Sequence, residues 1–366
     1  MFVYNSGFAK KVSNLLKGNA MTGQKTALIT GVTGQDGAYL SQSLLEKGYR
    51  VIGATRRAST LNLQRLASLG LVDQLELVTA DVQDFTSIMR MLSDMQPDEI
   101  YHLGGQSSVQ ASFQQPLYTA EATGQSALRF LDAIALAAPE ARLFHASSSE
   151  IFGRNAQGTV SEETDSHPRS PYGVAKLFAH WAGINFREAR DMHISNGILF
   201  NHESPLRGMD FVTRKITATL AQIACGGQQM LVLGNLDNAR DWGFAGDYVE
   251  AMWAMLQQDT GDDYVIASGE THTVREFVEL AAQAVGLDLV FEGTGLESKG
   301  VDRKTGRQLV GVSADFYRPS EPDPMVGNAA KAKTILNWQP RVSFEELVIM
   351  MAQGDLERAR KEQVWY

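Results

Sequence analysis

Lys25-Thr26-Ala27-Leu28-Ile29-Thr30 runs directly into Gly31-Val32-Thr33-Gly34-Gln35-Asp36-Gly37, and a helical pattern opens at Tyr39. A short apolar strand, a glycine-spaced turn and a helix start, in that order, form a cradle. The glycines permit a tight turn and a close approach of backbone to a pyrophosphate, whose charge is favoured at a helix N-terminus. Gly31 to Gly37 are therefore expected to hold a dinucleotide.

Working outward, apolar runs of buried-strand length follow at Arg50 to Ala54, Leu75 to Thr79, Glu99 to Leu103, Arg142 to Ala146 and Ile194 to Phe200. Helix-length patterns separate them, among them Tyr39 to Lys47, Thr86 to Met95, Ala120 to Ala137 and Gly173 to Arg190. Such alternation predicts an α/β fold with a doubly wound parallel sheet and ligands outside the carboxyl ends of its strands. From Asn201 the rhythm weakens, although Asp262 to Ala267 again reads as a strand that returns to the main sheet. The expected organisation is an N-terminal extension over 1–24, a dinucleotide-binding domain over 25–200 that takes back a segment near 235–270, and a smaller, discontinuous α/β substrate-binding domain over 201–366. Glu292 to Gly311, rich in Gly and charge, reads as an exposed loop that stays mobile until substrate binds. Trp242, Trp253 and Trp338 read as core or interface packing.

A chain of 366 residues exceeds the ~250–300 that one core usually holds, so two lobes are expected. With 44% hydrophobic and 20% charged residues, the composition is that of a compact enzyme rather than a disordered or fibrous chain. The net charge of -9 counts against nucleic acid as a bulk partner and confines any phosphate-binding cations to a local cleft. The single cysteine, Cys225, excludes an intramolecular disulfide, reads as a small packed hydrophobe, and points to the reducing cytoplasm. Met1 to Gln24 lacks the sustained apolar run of a signal peptide, and no stretch reads as a membrane span. No metal site is expected.

The second strand ends in Thr55-Arg56-Arg57-Ala58-Ser59, where an acidic residue would accept a hydrogen bond from a free ribose 2′-hydroxyl. Guanidinium groups at Arg56 and Arg57 can pair instead with a 2′-phosphate, which favours NADP over NAD. Asp81-Val82, after the third strand, is placed to flank the adenine. Tyr172 and Lys176 share one helix face in Tyr172-Gly173-Val174-Ala175-Lys176. The Lys cation favours phenolate and can hold the nicotinamide ribose, so the tyrosine can accept a sugar hydroxyl proton. Ser147-Ser148-Ser149, at the end of the fifth strand, offers a hydroxyl to the same oxygen; a cap or turn is its other use.

Together, the glycine loop, the serine strand end and Tyr172-x-x-x-Lys176 resemble the extended short-chain dehydrogenase/reductase family, which implies a Rossmann-type fold with a nicotinamide above the Tyr172 hydroxyl. Glu150 divides the chemistries. A carboxylate there can take the C5 proton of a sugar once C4 has become a ketone, a step that simple epimerases and reductases do not need.

Ala146-Ser147-Ser148-Ser149-Glu150, Pro168-Arg169-Ser170-Pro171-Tyr172, Phe200-Asn201-His202-Glu203-Ser204-Pro205 and Arg240-Asp241-Trp242-Gly243 resemble the GDP-mannose 4,6-dehydratases, over about Lys25 to Arg358. In that family the position of Ser148 is usually threonine, so this chain keeps the hydroxyl and loses a methyl group. The resemblance implies Tyr172 as the base at the C4 hydroxyl, Ser148 on the same oxygen, Lys176 behind the phenolate, and Glu150 as the base at C5, with water lost from C6. It implies cofactor contacts at Leu103, Gly104, Gly105, Gln106, Ser107, Tyr118, His202 and Arg207, with alanine frequent where Gly104 or Gly105 stands and His202 positioning rather than moving a proton. For a GDP-sugar it implies contacts at Asn201, Lys215, Arg240, Arg318 and Glu321, cations meeting the diphosphate and a carboxylate meeting ribose or base. It also implies a homodimer or homotetramer, with the Arg56-Arg57 segment reaching a neighbouring subunit. The rival readings are a GDP-manno-heptose dehydratase, for which the smaller Ser148 leaves room, a nucleotide-sugar 4-epimerase or reductase, and a non-catalytic NADP-binding protein.

Overall fold

The computed structural model describes residues 23–153, 158–316 and 324–361. Apart from Gly23 and Gln24, the expected N-terminal extension lies outside the described residues. Strands Thr26–Thr30, Arg50–Thr55, Glu76–Thr79, Glu99–His102, Arg142–Ala146, Ile194–Leu199 and Asp263–Ile266 form a seven-stranded sheet. Counted in chain order they lie 3-2-1-4-5-6-7, and every pairing is parallel. The returning strand takes the edge beside Ile194–Leu199, as its apolar run implied.

A parallel sheet covered on both faces has to be apolar on both, and the fourth and sixth strands are buried at every position. Leu40 and Leu44 of helix Gln35–Glu46, with Met252 and Met255 of helix Ala245–Met255, cover one face. Ile88 and Leu92 of helix Phe85–Met95, with Phe130 and Ile134 of helix Ser126–Ala137, cover the other. Trp242 and Trp338 are buried, and Trp253 packs partly buried against the main core. The first and fourth strands are neighbours, so the winding reverses between them and a crevice opens at their carboxyl ends.

A second core lies between helices Val212–Ala224, Val274–Ala284 and Phe344–Arg360 and a four-stranded sheet. The strands run Leu289–Glu292, Lys299–Asp302, Gln308–Val312 and Leu231–Leu233 across that sheet. This corrects the reading of Glu292 to Gly311 as an exposed loop. Gly300, which reads as loop punctuation, is a packing residue: a Cβ there would meet Val310 at 2.9 Å and Leu289 at 3.0 Å. The charged residues gather at the turn, where Asp302 accepts from the Thr305 hydroxyl at 2.6 Å. Cys225 is also corrected, since it is exposed at the end of helix Val212–Ala224 rather than packed. Among the described residues, no helix is long and apolar enough to cross a membrane.

Arg214 and Asp355 are both fully buried and tie helix Val212–Ala224 to helix Phe344–Arg360. Arg214 Nε donates to both Asp355 oxygens at 3.0 and 2.9 Å, and Thr217 and Arg358 donate to the same carboxylate. Removing one partner strands a buried charge. Asp355→Ala is therefore expected to cost about 3–5 kcal/mol, read as a fall in the urea midpoint, and an unchanged midpoint would show that the pair does not hold the helices.

Candidate active site

At the crevice, Gly31 adopts φ 72° and its Cβ position lies 3.0 Å from the Gly104 nitrogen. A Cβ on Gly37 would stand 2.5 Å from the Gly31 carbonyl oxygen and 2.6 Å from Val32 Cα. Helix Gln35–Glu46 starts within this turn, after the cap residue Gly34, and presents its first N–H groups at the crevice, the arrangement that suits a phosphate. Gly31, Thr33, Gly34, Gln35, Asp36 and Gly37 line a cleft of about 2120 Å³. The Val32 side chain does not. It is buried, with its methyl groups 2.8 and 2.9 Å from where a Cβ on Gly53 would lie.

The ends of the next strands supply the same wall. Arg56 and Arg57 are exposed in the cleft, and Arg56 Nη1 donates to the Tyr118 hydroxyl at 3.4 Å. Asp81, Val82, Leu103, Gly104, Gly105 and Ser107 also line it. Gln106 does not, because its amide is spent on the Ser108 backbone and on Thr119 Oγ1 at 3.1 Å, which shapes the loop.

The fifth-strand end and helix Pro171–Arg190 bring Ser148, Glu150, Tyr172 and Lys176 together on one wall. The helix begins there for local reasons: Ser170 caps it by accepting from the Gly173 N–H at 3.0 Å, and Pro171 supplies a fixed φ. Glu150 sits in the short turn Ser149–Ile151, which Ser148 Oγ caps by accepting from the Glu150 N–H. Burial pushes the Tyr172 phenol up to about 12; the Ser148 hydrogen bond pulls it back, and the Glu150 charge pushes it further. Burial lowers Lys176 to about 8, with Asp36 opposing. Lys176 Nζ donates to the Ala146 carbonyl at 2.6 Å and stands 5.8 Å from the Tyr172 ring centre. The lysine alone thus does not hold Tyr172 as phenolate; burial decides, and it favours the neutral phenol.

Facing this wall, Asn201, His202, Arg207, Lys215 and Arg240 line the cleft. His202 Nδ1 lies 2.7 Å from the Phe200 carbonyl and Nε2 lies 3.0 Å from Asp36 Oδ2. Both partners only accept, so the ring makes both hydrogen bonds at once when it is protonated. Burial alone would raise Asp36, yet the His202 charge and hydrogen bond leave it at about 2; His202 is raised in turn against its own burial. Arg207 lies 3.1 Å from Glu203 and over the Phe211 ring at 3.4 Å. Lys215, lowered by burial, stands 4.2 Å from the Phe316 ring centre. Arg318 and Glu321 lie outside the described residues.

Sequence reasoning missed Arg65. Its Nε donates to the Leu206 carbonyl at 2.7 Å and its Nη1 to the Thr33 carbonyl at 3.3 Å, clamping the glycine loop to the segment that carries Arg207. No motif marks it; only the fold brings these carbonyls together. Arg169, which stands in the Pro168 to Tyr172 motif without a contact implied for it, also lines the cleft. Among the described residues, no group of His, Cys, Asp and Glu could hold a metal ion.

The family model for GDP-mannose 4,6 dehydratase matches residues 28–351. The GDP-mannose 4,6 dehydratase of Cricetulus griseus is 47% identical over 345 residues, which cover 92% of this chain and 93% of that protein. The GDP-mannose 4,6-dehydratase of Sinorhizobium fredii (strain HH103) is 46% identical over 347 residues, covering 93% and 99%. The chain belongs to the GDP-mannose 4,6-dehydratase family. Among solved structures, that of RMD from Pseudomonas aeruginosa complexed with NADPH has a TM-score of 0.70 at 20% identity, covering 92% of this chain and 100% of that one, a likeness of fold.

In this family member the pairing of Asp36 with His202 fixes one end of the cleft, and its contribution depends on pH from both sides. The depressed Asp36 contributes stability above about pH 4 and loses it as pH falls toward 2, whereas the raised His202 contributes below about pH 6.5 and loses it as pH rises through its folded value. The stability difference between the wild type and Asp36→Asn is expected to be largest between about pH 4 and 6.5, on the order of 2 kcal/mol, and to shrink on either side. Urea unfolding across pH reads it, and a difference flat with pH would mean that the two groups are not coupled.

Proposed function

We propose that this chain converts GDP-mannose to GDP-4-keto-6-deoxymannose and water, using NADP. The observation that carries the reading is Glu150 in the same wall as Ser148, Tyr172 and Lys176. Three of these residues suffice to oxidise and reduce at C4; the fourth gives the site a base for elimination.

A dinucleotide fits the cradle. The backbone packs against the Cβ positions of Gly31 and Gly37, which only glycine allows, so the turn is tight at a helix N-terminus, and exposed Arg56 and Arg57 line the cleft as cations for a 2′-phosphate. The P. aeruginosa protein of the same fold is complexed with NADPH, which supports the same choice here. When bound, NADP supplies the hydride exchange that oxidises C4 and later reduces C6, and it ends unchanged. Tyr172 accepts the C4 hydroxyl proton, for which its raised pKa has to be lowered by the positive nicotinamide together with Lys176. Ser148 holds the same oxygen. Glu150 removes the C5 proton, acidified by the adjacent ketone, and passes it to the C6 hydroxyl, which leaves as water; C5 is then reprotonated with the proton that Tyr172 took from the C4 hydroxyl. Arg207, Lys215 and Arg240 offer charge to a diphosphate, and Asn201 offers an amide.

The smaller Ser148 favours a second substrate, a GDP-manno-heptose with one carbon beyond C6. Self-association is supported by exposed Leu117, Val174, Phe178 and Trp181. A lone exposed thiol suits a reducing compartment.

The test is mass spectrometry of the purified protein with GDP-mannose and, in parallel, GDP-manno-heptose, with and without added NADP. Loss of one water from GDP-mannose is expected. Loss only from the heptose would move the substrate and keep the mechanism, and no loss from either would sink the dehydratase reading. Glu150→Gln is expected to bind GDP-mannose normally yet lose water elimination by about 10²–10⁴-fold. Near-normal elimination by that variant would remove Glu150 from its role.

A further inference from the structure

Helix Pro171–Arg190 meets the fifth-strand end through one face, on which Tyr172, Lys176 and His180 follow one another at single-turn spacing. Each makes one contact with consecutive residues of that strand end. Tyr172 lies within reach of Ser148, whose hydroxyl lowers the phenol, Lys176 donates to the Ala146 carbonyl at 2.6 Å, and His180 Nδ1 lies 3.1 Å from Ser147 Oγ. The first two contacts belong to the chemistry described above; the third is not used by it. His180 and Ser147 are both buried, so this contact is not a surface accident.

The ring is set from behind. Arg187 forks Asp263 at 2.9 and 3.1 Å, Asn196 Nδ2 donates to Asp263 at 2.8 Å, and His180 Nε2 stands 3.9 Å from Asp263 Oδ2. Burial lowers the His180 pKa, with Asp263 opposing and Arg187 adding, which favours the neutral ring. The tautomer with its N–H at Nε2 points that hydrogen at the Asp263 carboxylate and leaves Nδ1 as an acceptor. In that tautomer Ser147 Oγ–H donates to His180 Nδ1. Because Ser147 precedes Ser148 directly, a shift of one carries the other.

We propose that His180 is a positioning residue for the reaction: it anchors Ser147 and thereby keeps the Ser148 hydroxyl aligned with Tyr172. The kinetic consequence rests on the dehydratase reading; the structural one does not. An alignment error near 1 Å at reacting groups costs rate rather than binding.

The experiment compares the full-length wild type with His180→Phe, His180→Asn, Ser147→Ala and the His180→Phe/Ser147→Ala double variant, by GDP-mannose turnover and by hydrogen exchange of the Ser147 to Ile151 amides. His180→Phe and Ser147→Ala are each expected to lower kcat by roughly 10- to 100-fold with KM unchanged. The double variant should be no worse than either, since both remove one contact. His180→Asn, which returns an acceptor near the Nδ1 position, should recover most of the rate. Exchange at Ser147 to Ile151 should quicken in the first two variants and return toward the wild type in His180→Asn. Wild-type kcat and exchange in Ser147→Ala, or additive losses in the double variant, would overturn the proposal. Should His180→Phe fail to fold, Ser147→Ala and His180→Asn still decide it. A wild type that eliminates no water counts against the dehydratase reading alone, and the exchange rates then judge the anchor by themselves.

Discussion

The carbonyl oxygen of Gly31 occupies the space beside residue 37, 2.5 Å from where any Cβ there would lie, and the rest of the site depends on that contact. It sets how near helix Gln35–Glu46 comes to the first strand, and hence where its free N–H groups end. The same turn touches the start of the Leu103 to Gly104 segment across the switch point, so the first and fourth strands deliver their loops to one place. From there the remaining connections are side-chain ties: Gln35 to the His202 carbonyl at 3.0 Å, Ser204 to Gln35 at 2.7 Å, His202 to Asp36, and Arg65 to both Thr33 and Leu206. These ties attach the segment that leads into the second lobe to the glycine turn. A displacement of the turn would carry His202 and Arg207 with it.

Charge is distributed against the sign of the whole chain. The net charge is -9, yet Arg56, Arg57, Arg65, Arg207, Lys215 and Arg240 all face the cleft. Two of the acidic groups among them are paired in place, Asp36 by His202 and Glu203 by Arg207 at 3.1 Å, and the cations still outnumber the acids along the cleft. What remains is a local excess of cation in a partly desolvated groove, where field lines focus and an anionic ligand is drawn in despite the acidic exterior. Glu150 lines the same cleft, and its charge pushes the Tyr172 phenol upward.

Legibility followed burial. Strands buried on both faces produce continuous apolar runs, and those of the main sheet were readable to within about a residue, including the returning Asp263–Ile266. The Tyr172 and Lys176 spacing was readable because a helix repeats with a known period. Glu292 to Gly311 was misread because its glycines are consumed by close packing and its charges by a turn, which composition cannot separate from a loop. Arg65, Val32 and Gln106 illustrate a different limit. Whether a side chain faces a cleft, a core or its own loop depends on neighbours brought from distant segments, and residues within one motif can point opposite ways.

Burial also explains why the central residues are quiet without ligands. The same desolvation that raises Tyr172 to about 12 lowers Lys176 to about 8, so both shifts move the pair toward its uncharged form. A site that held phenolate permanently would present a strong base to whatever entered. On the proposed reading the base would appear only when a positive charge arrives beside it, brought by a nicotinamide whose dinucleotide lies along the glycine turn and the arginine pair. The low-dielectric wall that makes Tyr172 inert alone makes each added charge count for more once the cleft is filled. On that reading, activation of the tyrosine is coupled to occupancy of the cradle through electrostatics.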